Sequence, residues 1–352
     1  MATDVARNTF YLLDRRFSFL STNKPFLTYN QQIALMRNKR IVIDNEIFTK
    51  EVLQSISYYG IVNGYKDIFG TFFNNELNIE QFNEPVSFTS LHRIFLIDQA
   101  LNNLLFKYII YIEKSLKTKL SYKIAQKIGV SMLEYLDFEK YKSNGELDRK
   151  AEISNIKNQI DNNKNSASIQ HYRIKHGDIP PWVATGGIYF GTTINWYKIC
   201  REDIKIDIAK QFFEYFELDG ESAKELLLSM LSLLQEYRNN IAHGNRTFLS
   251  NVTNELTKVL LLSVLSKEVL TEKEYLSGIG KKDLFAVMLS IAVLINDPIV
   301  FRQYLYDFGA LFTNDEFNPK INYSPRGDIY ATLNIPEDFL KRIAEIYKIK
   351  FE

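Results

Sequence analysis

Apolar positions in the stretch 221–246, ESAKELLLSMLSLLQEYRNNIAHGNR, fall on one side of a helix. Leu227, Met230, Leu231, Leu234, Tyr237 and Ile241 recur every one to four residues, the period of an amphipathic helix with one buried stripe. Glu221 and Ser222 stand at its start, and Gly244 follows its last periodic turn as a stop signal. The same period predicts a longer helix over 90–129, carried by Leu101, Leu104, Leu105, Tyr108, Ile109, Ile112, Leu116 and Leu120. Further helices are expected up to Met36 with Thr28 as cap, from residue 46 onward, over 252–270 and 283–309, and from Pro336 to Lys348 with Asn334 as cap. Residues 1–23 carry only weak periodicity and suggest a short helix or an arm.

The segments between these helices lose the pattern. Residues 74–88 read as a loop, and the Asn- and Lys-rich stretch 142–168 as a short exposed helix followed by a mobile loop. Pro180-Pro181 blocks a helix, so Trp182 and Val183 are expected to open a new buried segment. A turn-rich stretch covers 313–336. The expectation is an all-α protein: an N-terminal helical region at 1–89, a helical core at 90–312, and a C-terminal loop and helix at 313–352.

Composition narrows the function classes. A formal net charge of +1 means that any basic surface must be local. The one cysteine, Cys200, excludes an intrachain disulfide and a cysteine-based metal site, and fits a reducing cytoplasm. The N-terminus has no apolar signal core, and the apolar runs at 259–265 and 284–295 fall short of the ~20 residues that a membrane span needs, so no membrane partner is expected. No phosphate-binding glycine loop and no His-Glu-x-x-His are present, and the expected cofactor and metal complement is none.

Candidate chemistry gathers at the end of the 221–246 helix, where Arg238, Asn239, Asn240 and His243 sit on the polar side. Asn239 and His243 share a face one turn apart. Arg238 and His243 are about 140° apart around the axis at ~3.6 residues per turn, but a long guanidinium stem can reach an anion that His243 also touches. Arg238 can instead brace the helix to a neighbouring acid while His243 caps it. Lys119, Lys123 and Lys127 step by four along the long helix, either as a phosphate track or as solvated lysines that suit the helix dipole. Arg37, Lys39 and Arg40 read as a solvated helix end, Tyr58, Tyr59, Tyr65 and Phe69 as core, and Glu113–Lys117 as an i,i+4 pair. His171 and His176 lack carboxylate or cysteine company and read as packing, as does Gly186-Gly187…Gly191.

The string Arg-Asn-x-x-Ala-His, followed by Gly244 and Arg246, resembles the signature of HEPN domains, and the chain is similar to the abortive-infection (Abi-like, AbiD/AbiF type) family. The likeness extends to Lys24–Phe69, to Asp98, Leu101, Ile112, Glu113, Leu116 and Lys117 on the long helix, and to the Pro-Pro-Trp-Val run. Relatives often carry arginine where this chain has Asn102 or Asn103. The resemblance implies a HEPN-like helical bundle with added N- and C-terminal helices. It also implies a cytoplasmic toxin of antiphage defence that cuts RNA without a metal, with a small non-coding RNA as a regulatory partner.

On that reading Arg238, Asn239 and His243 are catalytic, and Asn240, Arg246, Lys119, Lys123 and Lys127 hold RNA. RNA supplies its own nucleophile, the 2′-hydroxyl, so an imidazole for proton transfer and a guanidinium for phosphoryl charge suffice to yield a 2′,3′-cyclic phosphate. One motif per chain makes a homodimer a requirement of this mechanism. The alternative is a non-catalytic RNA- or protein-binding module with a degenerate HEPN fold.

Overall fold

Thr28 caps the first described helix, accepting from the Gln31 N–H while the Gln31 side chain accepts from the Thr28 N–H. The computed structural model describes residues 25–244, 246, 252–313 and 327–352, so the arm or helix expected over 1–23 lies outside the described residues. The chain divides into two compact units, one up to His92 and one from Arg93 onward.

In the first unit, helices α1 (Tyr29–Asn38), α2 (Glu46–Ser55) and α3 (Gly64–Phe69) alternate with short strands. Strand β1 (Ile41–Val42) pairs in parallel with β4 (Val86–Ser87), and β2 (Thr71–Asn74) with β3 (Ile79–Phe82) makes an antiparallel hairpin. The segment expected as a loop is therefore partly strand. Two- to four-residue strands are too short to show alternation, and Phe72 and Phe73 both stay exposed. Tyr65 and Phe69 are core as expected, but Tyr59 is exposed. It opens a π-helical turn, Tyr59–Asn63, whose wider winding shifts the phase of the apolar face.

The second unit is helical throughout its described residues apart from turns and connections. Its residues from Arg93 join the 40-residue helix α4 (Phe88–Lys127), on which Leu101, Leu105, Tyr108, Ile109, Ile112, Leu116 and Leu120 are buried. There follow α5 (Met132–Tyr135), α6 (Arg149–Asn162), α7 (Ala167–Lys175), α8 (Pro181–Ala184), α9 (Phe190–Ile199), α10 (Glu202–Phe212) and α11 (Gly220–Ala242). The rest comprises α12 (Lys258–Val264), α13 (Glu272–Leu276), α14 (Leu284–Leu294), α15 (Pro298–Thr313), α16 (Ile329–Leu333) and α17 (Phe339–Phe351). The all-α expectation holds.

Helix α14 is the centre of this unit, with every residue from Leu284 to Leu294 buried and α11 and α17 packed on it. Its last carbonyls have no partners within the helix. Lys350, 4 % exposed, supplies them: Nζ donates to Val293 O at 2.7 Å, Ile295 O at 2.5 Å and Asn296 Oδ1 at 2.9 Å. Burial lowers the Lys350 pKa to about 7, and its protonated form suits that end of the helix dipole.

Several local expectations change. The polar stretch 142–168 holds a 14-residue helix, α6, that buries Ile153, Ile156 and Ile160, and α6 packs on α9. The i, i+3, i+7 spacing of those isoleucines outweighs the polar residues between them. Helix α7 then begins where a loop was expected. Pro181 occupies the first turn of α8, where a missing N–H costs nothing, so the proline pair starts a helix, and Trp182 is 53 % exposed. The helix expected over 283–309 breaks at Asn296-Asp297, and Pro298 opens α15. Asn334 ends α16 in the left-handed conformation (φ 55°), and Asp338 precedes α17.

Candidate functional site

The site is built on helix α11. Asp219 caps it, accepting from Glu221 N at 2.9 Å and Ser222 N at 3.0 Å, with the Ser222 hydroxyl and these amides holding its carboxyl below the usual range. Gly220 has to be small, since a Cβ there would lie 2.6 Å from Ile206 Cγ2 on α10. Leu227, Met230, Leu231, Leu234 and Tyr237 are buried along one face, and Ile241 sits half-buried at the rim. That stripe fixes the rotation of the helix and turns its last polar residues outward.

The helix ends at Ala242. The His243 N–H donates to Asn239 O at 3.0 Å, and Gly244 (φ 71°) takes the left-handed step that terminates it. The His243 side chain is thereby left exposed, without a hydrogen bond among the described residues. Asn239 is exposed, while Asn240 and Arg246 are half-buried.

Arg238 turns the other way, toward α4. Its guanidinium carbon stands 6.0 Å from the centroid of the Phe106 ring, and Nη1 reaches Asn239 Oδ1 at 3.4 Å. Its Nε is buried without a hydrogen-bond partner among the described residues. A buried donor left unsatisfied costs roughly 1–3 kcal/mol. Asn102 precedes Phe106 by one turn and is 6 % exposed, so it shares the face that Arg238 approaches, whereas Asn103 is exposed.

Glu236 holds the returning chain against the same helix. Its carboxylate accepts from Thr253 N at 2.9 Å, Asn254 N at 3.1 Å and Asn254 Nδ2 at 2.7 Å. Partial burial works against its ionised form, but these donors prevail and hold its pKa below the usual carboxylate range. Neither Phe106 nor Glu236 stands out in the sequence.

Lys119, Lys123 and Lys127 are not brought to this site; the structure assigns them to packing against α10. Lys123 pairs with Asp207 at 2.9 Å, Lys127 with Asp203 at 3.5 Å, and Lys119 Nζ lies 5.2 Å from the Phe212 ring centroid. Burial lowers the Lys119 pKa. The order of partners, 212, 207, 203, runs opposite to the lysines, so two antiparallel helices consume the stripe. Glu113 and Lys117 form the expected ion pair at 2.7 Å, and Lys117 also donates to Ile188 O at 2.7 Å. His171 and His176 are exposed with ring centroids 5.7 Å apart, and the described residues contain no group of three metal-capable side chains. Gly187 and Gly191 are packing glycines: a Cβ would lie 2.4 Å from Ile169 Cδ1 and 2.4 Å from Gln235 Nε2 respectively.

An all-α unit in which one amphipathic helix ends in an exposed imidazole and, a turn earlier, a guanidinium held over an aromatic ring defines the class. Within it, residues 51–249 match the family of Abi-like proteins, and the chain belongs to that family. The match contains α4, α11 and the Arg238–His243 cluster. No curated protein and no solved structure matches the chain. Among the described residues no helix is long and apolar enough to cross a membrane. Membership of the family suggests a part in abortive-infection defence.

Proposed function

We propose that this Abi-like protein is a metal-independent endoribonuclease of HEPN type that halts phage-infected cells. The carrying observation is the exposed His243 imidazole at the end of α11, one turn from Asn239, which the Arg238 guanidinium also reaches from its place over Phe106. An imidazole serves as base for the 2′-hydroxyl or as acid for the leaving 5′-oxygen. Arg238 neutralises the phosphoryl charge through the exposed end of its guanidinium, the Nη1 side that reaches Asn239. Asn239 orients the phosphate or the imidazole. Asn240 and Arg246 flank the strand, whereas the α4 lysines, committed to α10, leave the RNA-binding set. Each chain supplies one imidazole, so acid and base come from two protomers of a homodimer.

The test is cleavage of a labelled single-stranded RNA by the purified chain in the presence of a chelator. The expected products end in 2′,3′-cyclic phosphate, and H243A and R238A leave the RNA intact. Cleavage retained in H243A, or dependent on added divalent metal, overturns the mechanism. A second reading follows from the position of Arg238, whose contact with Phe106 is also what a structural brace makes. In that case the chain is a binding module, and R238A and H243A bind RNA as the wild type does with no cleavage by any of them.

A further inference from the structure

The Asn-rich segment, expected as a short exposed helix followed by a mobile loop, forms one wall of a cleft of about 510 Å³. That size suits one or two nucleotides. Asn155, Asn158, Asn162 and Asn165 line it together with Lys164, and the Gly187–Tyr189 segment forms the opposite wall. Two further carboxamides hold the walls together. Gln159 Oε1 accepts from Tyr189 N at 3.0 Å and its Nε2 donates to Thr192 Oγ1 at 2.8 Å, while Asn163 Nδ2 donates to Gly187 O at 3.2 Å. The glycine at 187 allows this approach, because a Cβ would collide with Ile169. The cleft is thus braced from behind, and Asn158, Asn162, Asn165 and Lys164 remain exposed at its mouth.

Tyr189 is 69 % exposed at the head of α9, so its ring face is open to a ligand in the cleft. Carboxamides present a donor and an acceptor side by side, matching the edges of nucleobases. Exposed aromatic rings stack unpaired bases, and a lone lysine suits a backbone phosphate. The lining has too little apolar surface for a protein anchor. The cleft also connects to α11: Gly191, two residues after Tyr189, lies against Gln235, eight residues before His243. That interval is about 12 Å of helix at ~1.5 Å per residue, or roughly three nucleotides of stacked strand at ~3.4 Å each.

We propose that the cleft between α6 and the Gly187–Tyr189 segment binds the bases of single-stranded RNA, with Tyr189 as the stacking platform and Asn158 and Asn162 reading base edges. Its link to cleavage rests on the nuclease reading above; the binding itself does not. The test uses the full chain carrying H243A, to suppress cleavage, and fluorescence anisotropy with labelled 12-mers of A, C and U. N158A/N162A and Y189A change exposed side chains, and thermal melts verify that they fold.

Each is expected to lose at least tenfold in affinity, Y189F to bind as the parent does, and the three homopolymers to differ in affinity. A 4-thiouridine oligonucleotide should crosslink to Tyr189 or to the 155–165 segment. Unchanged affinity in both variants, a crosslink confined to other regions, or saturable binding of a neutral oligosaccharide there in place of RNA overturns the proposal. Should the wild type leave RNA uncut while these variants lose binding, the nuclease reading fails and the cleft stands. Should the wild type cut RNA while the variants bind and cut unchanged, the cleft fails and the nuclease reading stands.

Discussion

Two helix ends in the second unit carry basic side chains, and they are treated in opposite ways. At the end of α4, Lys123 and Lys127 meet Asp207 and Asp203, and Lys119 lies on Phe212. At the end of α11, Arg238 keeps a buried Nε without a partner, and the His243 imidazole is left exposed. The first arrangement is a helix–helix seam, where charge is compensated locally and long aliphatic stems cover apolar surface. The second leaves binding capacity over. Basic residues at helical spacing are thus no measure of anion-binding surface; what decides is whether the next helix brings carboxylates.

The sharpest way to break the contrast is at His243. H243A should reduce RNA cleavage by at least ~100-fold, the usual scale for losing a general acid or base, with thermal stability unchanged, since the side chain is exposed. Cleavage assays and melting curves of the same preparation check both halves.

A charge buried against its own interest lies deeper, at Asp283, which caps α14. It accepts from Ala286 N at 2.9 Å and Gly280 N at 3.0 Å, yet burial pushes its pKa up to about 6 despite those donors. Between the ordinary carboxyl value and 6 the folded state holds more protons than the unfolded one. The contribution of Asp283 to stability is therefore complete at low pH and is lost as pH rises through 6. D283N keeps an acceptor for the cap and removes the charge. It should stabilise the protein by about 1–2 kcal/mol at pH 8, with the gain closing toward pH 4, as read from denaturant midpoints.

A smaller effect comes from F106L, which preserves apolar volume and removes the ring under Arg238. The loss of a half-exposed cation–π contact, about 0.5–1 kcal/mol, should lower turnover roughly three- to fivefold with little change in KM. A purely structural role for Phe106 would lower stability and leave turnover per folded molecule intact. The smallest effect tests the other helix end. K123A/K127A should leave RNA affinity and its salt dependence within about twofold of wild type, because those ammonium groups already face carboxylates. A drop in the salt slope would return them to the RNA surface.

Much of this molecule was readable one residue at a time. The buried stripe of α11, its glycine stop, the extent of α4 and the Glu113–Lys117 pair follow from helical period and capping chemistry, which depend on neighbours within a few residues. The site was half legible. Arg238, Asn239 and His243 sit at the helix end where period and stop signal put them, yet Phe106 and Glu236, which hold Arg238 and the returning chain, did not stand out.

The short strands of the first unit and the outward Tyr59 were missed because a π-helical turn and two- to four-residue ladders carry no periodic signal. Helix α6 was misread because three isoleucines among asparagines look like a solvated chain until α9 covers them. The sequence by itself determined that α4 and α11 are helical and which residues end α11. Tertiary structure alone decided that the α4 lysines are consumed, that α6 and Tyr189 enclose a cleft, and that Arg238 rests on an aromatic ring. Those outcomes depend on groups separated by tens to more than a hundred residues, whose encounter is set by the packing of whole helices and not by local propensity.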